Sequence, residues 1–261
     1  MITNINQSKI LKRKRLVTML FLSVTLLLAY GIPVYADTAD DIMKKIDEMN
    51  DIKSSAAKVA MIIYPNKDDK KNYRIVKMIS YGKGKDISFS RYVYPNSVKG
   101  MKMLTRGDDI WTFFASTGRK RKIASYNKKQ SVEGVGGDFN YQDMSPGDWR
   151  KDFTAKIISQ NDKEWTLELK PVKADYAYTK MEFTVTKGNY RTQQIKYYDD
   201  HGFLKALFFS NYKKIDKYDM AMTMTMVNYR KNSKTIVKNV DIRVNVAVDE
   251  KYFDANQLES N

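Results

Sequence analysis

The stretch Pro95 to Met144 reads PNSVKGMKMLTRGDDIWTFFASTGRKRKIASYNKKQSVEGVGGDFNYQDM, and its punctuation decides the fold. Two apolar runs, Met101 to Leu104 and Ile110 to Ala115, flank Arg106-Gly107-Asp108-Asp109, a turn signal between two strands. Ser116-Thr117-Gly118 marks a second turn and leads into a basic strand that begins at Arg119. A glycine loop follows at Gly134, Gly136 and Gly137, and then the acidic-aromatic run Asp138 to Asp143. The order is hairpin, basic strand, glycine loop, acidic-aromatic segment.

Outward from this stretch the same grammar continues. From Ser55 the apolar positions alternate with polar ones, and period two is the period of a strand with one buried face. The alternation predicts strands over 55–64, 72–81, 86–94, 101–104, 110–115 and 120–125. After the glycine loop it predicts 153–159, 164–170, 179–186, 193–198, 204–212, 220–228 and 235–248. Tight turns such as Asp199-Asp200-His201-Gly202 join them, as in an antiparallel meander. A helical turn is expected within Asp143 to Lys151, started by Ser145-Pro146. Asp37 to Ile52 carries the only helical periodicity. Thr38 and Asp41 have the spacing of a capping box, and Ile42, Ile46 and Met49 form a narrow stripe. A single helix must then help to cover a large one-sided sheet. This favours a sheet that curls on itself into an unclosed half-barrel with a cavity.

The first 36 residues follow a different pattern. Lys9, Lys12, Arg13, Lys14 and Arg15 precede the apolar run Leu16 to Tyr30, and Val34-Tyr35-Ala36 suits a cleavage site. The expectation is a cleaved signal peptide over 1–36 and a single domain over 37–261. The apolar run is short for a membrane span. Setting the five basic residues of the leader aside lowers the net charge of +16 to +11. Such an excess attracts anionic surfaces, and export removes nucleic acid from the field. The sequence contains no cysteine, so neither lipidation on cysteine nor disulfides enter.

Four pieces of the opening stretch, in this order, resemble the LolA-like outer membrane lipoprotein-sorting proteins. They are Pro95 with Lys99-Gly100, Asp108 to Trp111, the basic strand Arg119 to Ile123, and Gly136 to Asp143. The family more often has Met-Gly-Ser where this chain has Val135, Gly136 and Gly137. Tyr198-Asp199 with Gly202, and the ending Phe253 to Leu258, extend the resemblance over nearly the whole mature chain. It implies a mainly β half-barrel whose concave face is covered by an N-terminal helix and short helical turns. It also implies a periplasmic carrier that holds the acyl chains of a lipoprotein or lipid and moves them between inner and outer membrane. The donor would be an inner-membrane transporter, for this branch an RND-type exporter, and the acceptor would lie at the outer membrane. No cofactor, metal or catalysis is implied.

Met220, Met222, Met224 and Met226 alternate onto one face of a strand, and methionine adapts to apolar ligands of varied shape. The plainer reading of such a stripe is core. With Met181, Phe183, Phe89, Trp111 and Phe113 they form the candidate cavity lining. Trp111 and Phe113 share one face and Ile110 and Phe114 the other, and the sequence does not say which face is inward. Arg119, Lys120, Arg121 and Lys122 are the candidate contacts to anionic head groups or a partner. Their plainer reading is a solvated edge strand. His201, the only histidine, rules out a His/Cys zinc site. Two other classes stay open: an enzyme acting on glycans through carboxylates, with Asp138, Asp143 and Asp148 as candidates, and a structural envelope protein whose hollow is filled by its own side chains.

Overall fold

Thirteen strands form one antiparallel sheet in the order β6-β5-β4-β3-β2-β1-β13-β12-β11-β10-β9-β8-β7. The structure is a computed structural model and describes residues 37–145 and 149–260. The expected signal peptide, Pro146 and Asp148 lie outside the described residues. The strands are β1 Ser54–Tyr64, β2 Arg74–Lys83, β3 Ile87–Tyr94, β4 Lys102–Arg106, β5 Asp109–Phe114, β6 Arg119–Lys122 and β7 Phe153–Gln160. The rest are β8 Glu164–Pro171, β9 Lys180–Thr186, β10 Thr192–Asp199, β11 Gly202–Ile215, β12 Tyr218–Asn228 and β13 Ser233–Val244. Every expected strand is present. Two meanders, β1–β6 and β7–β13, are welded by the pairing of β1 with β13. The sheet does not close into a barrel: β6 and β7 remain its two edges.

The sheet curls toward one face. Ile110 of β5 and Phe153 of β7, from near opposite edges, belong to a single buried cluster. Only strong curvature toward that face brings them together. Irregularities in register at Lys58/Val59, Lys77/Met78, Tyr197/Tyr198 and Ile157/Ser159 assist, since a bulge raises local twist and bends the strand. At the irregularity opposite Lys58/Val59, Asn239 pairs with Val59 and Asp241 with Lys58, so Val240 of β13 is the extra residue and is 67% exposed.

Helix α1, Ala39–Met49, lies on the concave face with Ile42, Met43 and Ile46 buried. Its capping box is formed: the Asp41 amide donates to Thr38 Oγ1, and the Thr38 amide to Asp41 Oδ2, each at 3.1 Å. It stops short of the expected Ile52 because the Asn50 side chain donates to the Ile46 carbonyl at 2.7 Å. A second, four-residue helix, α2, spans Trp149–Asp152.

The segment joining the edges β6 and β7 fills much of the hollow. The basic strand ends at Lys122, earlier than expected, and Ser125–Lys129 winds into a 3₁₀ turn. Beyond it Val132, Val135, Phe139 and Tyr141 sink into the concave cluster. Gly137, at φ +83°, is needed here: a Cβ would stand 2.9 Å from Thr235 Oγ1 of β13.

The convex face of β2–β5 is covered as well. Phe89, Leu104, Phe253 and Leu258 make a separate buried cluster, with Tyr81, Trp111 and Phe113 packed on it. Phe89 pairs with Leu104 and Leu104 with Trp111, a cross-strand row on the outer face. Phe89, Trp111 and Phe113 are thus placed opposite to the cavity-lining position assigned from sequence. Ile110 and Phe114 are the pair that faces the hollow. Alternation could not decide the point because both faces of β4 are buried.

Candidate functional site

On the concave side, the described residues leave a pocket of about 380 Å³ between α1 and β9–β12. Phe183 of β9, Ile195 of β10, Phe209 of β11 and Met224 of β12 form its floor. Ile46 and Met49 of α1, with Trp149 of α2, form the roof. Trp149 meets Phe183 edge-on at 5.1 Å and Phe153 at 5.5 Å, which holds the indole over the floor. The position of α1 is fixed at its far end, where Tyr218 Oη donates to the Asp51 carbonyl at 3.0 Å.

The methionine stripe of β12 runs from core to opening. Met226 is fully buried, Met224 is partly buried against the same cluster and reaches the pocket, and Met220 lines it farther along. Met222 shares their face by alternation and is half-buried. Met181 lies fully buried in the concave cluster beside Phe183. Of the nine residues proposed from sequence as lining, the structure brings Phe183, Met220 and Met224 directly to the pocket. It buries Met181 and Met226 behind them.

The opening is polar. Arg191, Thr192, Tyr212, Asp219 and Asn239 stand there. The Arg191 Nε donates to Asp219 Oδ2, and the guanidinium lies over the Tyr212 ring at 4.7 Å. Hydrogen bonding to Asp219 holds Arg191 more firmly protonated than usual. Burial pushes the Tyr212 phenol up to about 12, so at neutral pH it keeps the proton that it donates to the Thr192 carbonyl. Sequence reasoning missed these residues, because Arg191 and Asp219 meet across strands that are not adjacent.

Two other clefts differ in character. One, about 390 Å³, lies between the β4–β5 turn and the segment after β8 and is lined by Lys85, Asp86, Asp108, Lys128, Asp152 and Lys173, among others. Another, about 660 Å³, has Lys129, Lys170, Lys173, Asp199, Asp200 and His201 on its walls. The second also carries Val172, Ala177, Tyr178 and Leu204, so its lining mixes charged and apolar side chains.

The two candidate carboxylates among the described residues, Asp138 and Asp143, have buried, engaged side chains. Asp138 accepts from the hydroxyls of Ser233 and of Thr235, the latter at 2.7 Å. Asp143 is ion-paired with Lys205, both side chains nearly dry, and accepts from Tyr178 Oη at 2.6 Å. Lys205 also donates to the Asp138 carbonyl at 2.8 Å, and Asn140 Nδ2 donates to Tyr178 Oη at 2.9 Å. Burial, reinforced by the Asp143 charge, drives the Tyr178 and Tyr197 phenols well above their ordinary range. This network ties the acidic-aromatic segment to β11 and β13. It is a clasp, and neither carboxylate faces open space.

The basic strand β6 is exposed along its whole length. Lys120 donates to the Ala255 carbonyl at 3.1 Å, Arg121 stands 3.6 Å from Glu133, and Lys122 pairs with Asp109 at 2.8 Å. Arg119 opens the same strand. His201 lies in its hairpin turn, its amide donating to Asp199 Oδ1 at 2.9 Å.

A curled, unclosed antiparallel sheet with a helix over an apolar pocket defines the LolA-like class, and solved structures agree. The chain is similar to a domain from Vibrio parahaemolyticus described as an outer membrane lipoprotein-sorting protein. The two are 25% identical at a TM-score of 0.74, covering 85% of this chain and 99% of that one. A DUF1329 family protein from Desulfovibrio piger is 22% identical with a TM-score of 0.77, covering 85% of this chain and 100% of the other. A LolA superfamily protein from Nitrosomonas europaea is 21% identical with a TM-score of 0.70, covering 84% and 98% respectively. No curated protein matches the chain. A family model described as "uncharacterized protein" matches residues 84–260, well over half of the sequence, and the chain belongs to that family.

Proposed function

We propose that this protein is an exported, periplasmic carrier that shields an acyl chain in the pocket under α1 and passes it from the inner to the outer membrane. The observation that carries this reading is the pocket itself: a methionine- and aromatic-lined hollow, roofed by one amphipathic helix and left unfilled by the side chains of the described residues. Burial of hydrocarbon supplies the affinity, about 0.8 kcal/mol per methylene. Unloading therefore needs an acceptor that holds the chain at least as well. The similarity to a lipoprotein-sorting domain supports the same assignment. An inner-membrane transporter, of RND type in this branch, would be the donor, and an outer-membrane acceptor would receive the cargo. The exposed strand Arg119–Lys122 would meet the partner or anionic head groups, exchanging its intramolecular carboxylate contacts for them.

Gently purified protein should release a lipid in near-stoichiometric amount on organic extraction, seen first as an added mass in native mass spectrometry. It should also bind a fluorescent fatty-acyl probe. Met224→Trp, which fills the floor, should weaken probe binding by about tenfold or more, at a cost in stability of no more than about 1–3 kcal/mol. Clean apoprotein that also refuses the probe would end the carrier reading.

A further inference from the structure

The rim of the pocket holds more chemistry than an acyl tail needs. Arg191 is held from two sides, by the Asp219 carboxylate on Nε and by the Tyr212 ring against its plane. A guanidinium carries five N–H donors, and the contact with Asp219 uses the single one on Nε. Its two terminal nitrogens make no hydrogen bond among the described residues, although Arg191 lines the pocket. A guanidinium fixed along one edge, with its outer fork unspent, is built to receive two oxygens of one planar or tetrahedral anion.

The lining carries one cation and one anion, Arg191 and Asp219. Lys213, an exposed residue outside that lining, lies directly opposite Met220 in the β11–β12 pairing, so its side chain starts on the same face as that methionine. Size adds a limit. At about 380 Å³ the hollow stands near the lower bound for ligand pockets, enough for one aliphatic chain but not for a bundle of them.

We propose that the ligand of this pocket is a single-tailed amphiphile with an anionic head, a carboxylate or a phosphate monoester. Its tail would run beneath α1 along Met220 and Met224, and its head would sit on the outer fork of Arg191. The proposal rests on the acyl-binding reading and adds the head-group selectivity.

The test uses purified, delipidated protein and three probes with the same tail: dodecanoate, dodecyl phosphate and dodecanol. Binding is followed by calorimetry. The wild type should prefer at least one of the two anions over dodecanol by about tenfold or more, and the tighter of the two identifies the head. Arg191→Gln should abolish that preference while dodecanol binding changes by no more than about twofold, and Arg191→Lys should restore part of it. Should Arg191→Gln fail to fold, the wild-type comparison across probes and the Arg191→Lys variant still decide. Equal affinity for all three probes, or a preference that survives Arg191→Gln, overturns the head-group assignment and leaves the acyl reading standing. Wild-type protein that binds none of the three overturns both.

Discussion

Lys205 is 2% exposed, yet its ammonium finds four partners of the right sign: the Asp143 carboxylate, the Asp138 carbonyl, and the faces of Tyr178 and Tyr197 at 5.4 and 5.5 Å. Removing one member of such a pair strands the other charge in a dry site, which costs about 3–5 kcal/mol, whereas replacing both by apolar groups is often close to neutral. Lys205→Met should therefore lower the unfolding free energy by about that amount in denaturant titrations, and adding Asp143→Leu should recover most of it. A single variant as stable as the wild type would show that the clasp contributes nothing. Sequence reasoning marked both ends, Asp143 in the acidic-aromatic run and Lys205 just past the Gly202 hairpin. Their pairing across 62 residues of chain leaves no local trace. The pocket residues divide in the same way: Met220 and Met224 were legible from alternation, whereas Arg191 was not.

At the scale of elements, regular structure was read closely because its causes are local. The thirteen strands follow from period two and turn chemistry, and α1 starts where Thr38 and Asp41 place its cap. Which face of a strand points inward is not local. For β3–β5 it depends on the C-terminal segment, whose Phe253 and Leu258 cover the convex side. That segment is fastened by Lys83 to Glu250 at 2.6 Å and by Lys102 donating to the Glu259 carbonyl at 2.9 Å. Phe253, 5% exposed and packed in the cluster of Phe89 and Leu104, is its anchor on the sheet. Phe253→Ala should cost about 3–5 kcal/mol, the range for emptying a buried aromatic site, and expose Trp111 to quenching by iodide or acrylamide. An unchanged unfolding midpoint, with Trp111 as shielded as before, would mean that the segment merely lies on the sheet.

For the whole molecule, the question is what sets the width of the half-barrel. Twist and bulges curl the sheet, and the filling of the hollow by Val132, Val135, Phe139 and Tyr141 limits how far it can close. The sequence announced a cavity but not its size, because the glycine loop gave no sign that the residues around it would fold inward and join the concave cluster. Across the gap the two meanders touch through Asp108, in the β4–β5 turn, and Lys173, beyond β8. Hydrogen bonding to Lys173 holds the Asp108 carboxyl below its ordinary value of 3.8. A depressed carboxylate contributes stability that is present above its unfolded value and fades as pH falls through the folded one. Both side chains are largely exposed, so solvent screening keeps that contribution under about 1 kcal/mol. Asp108→Asn should accordingly lower the melting temperature by only a few degrees at pH 7, and the gap between variant and wild type should close below pH 3.8. A gap that persists undiminished at pH 3 would show that Asp108 acts through turn geometry rather than through charge. A loss far larger than screening permits would make this contact the true closure of the barrel, and the pocket should then change its affinity for acyl probes in the same variant.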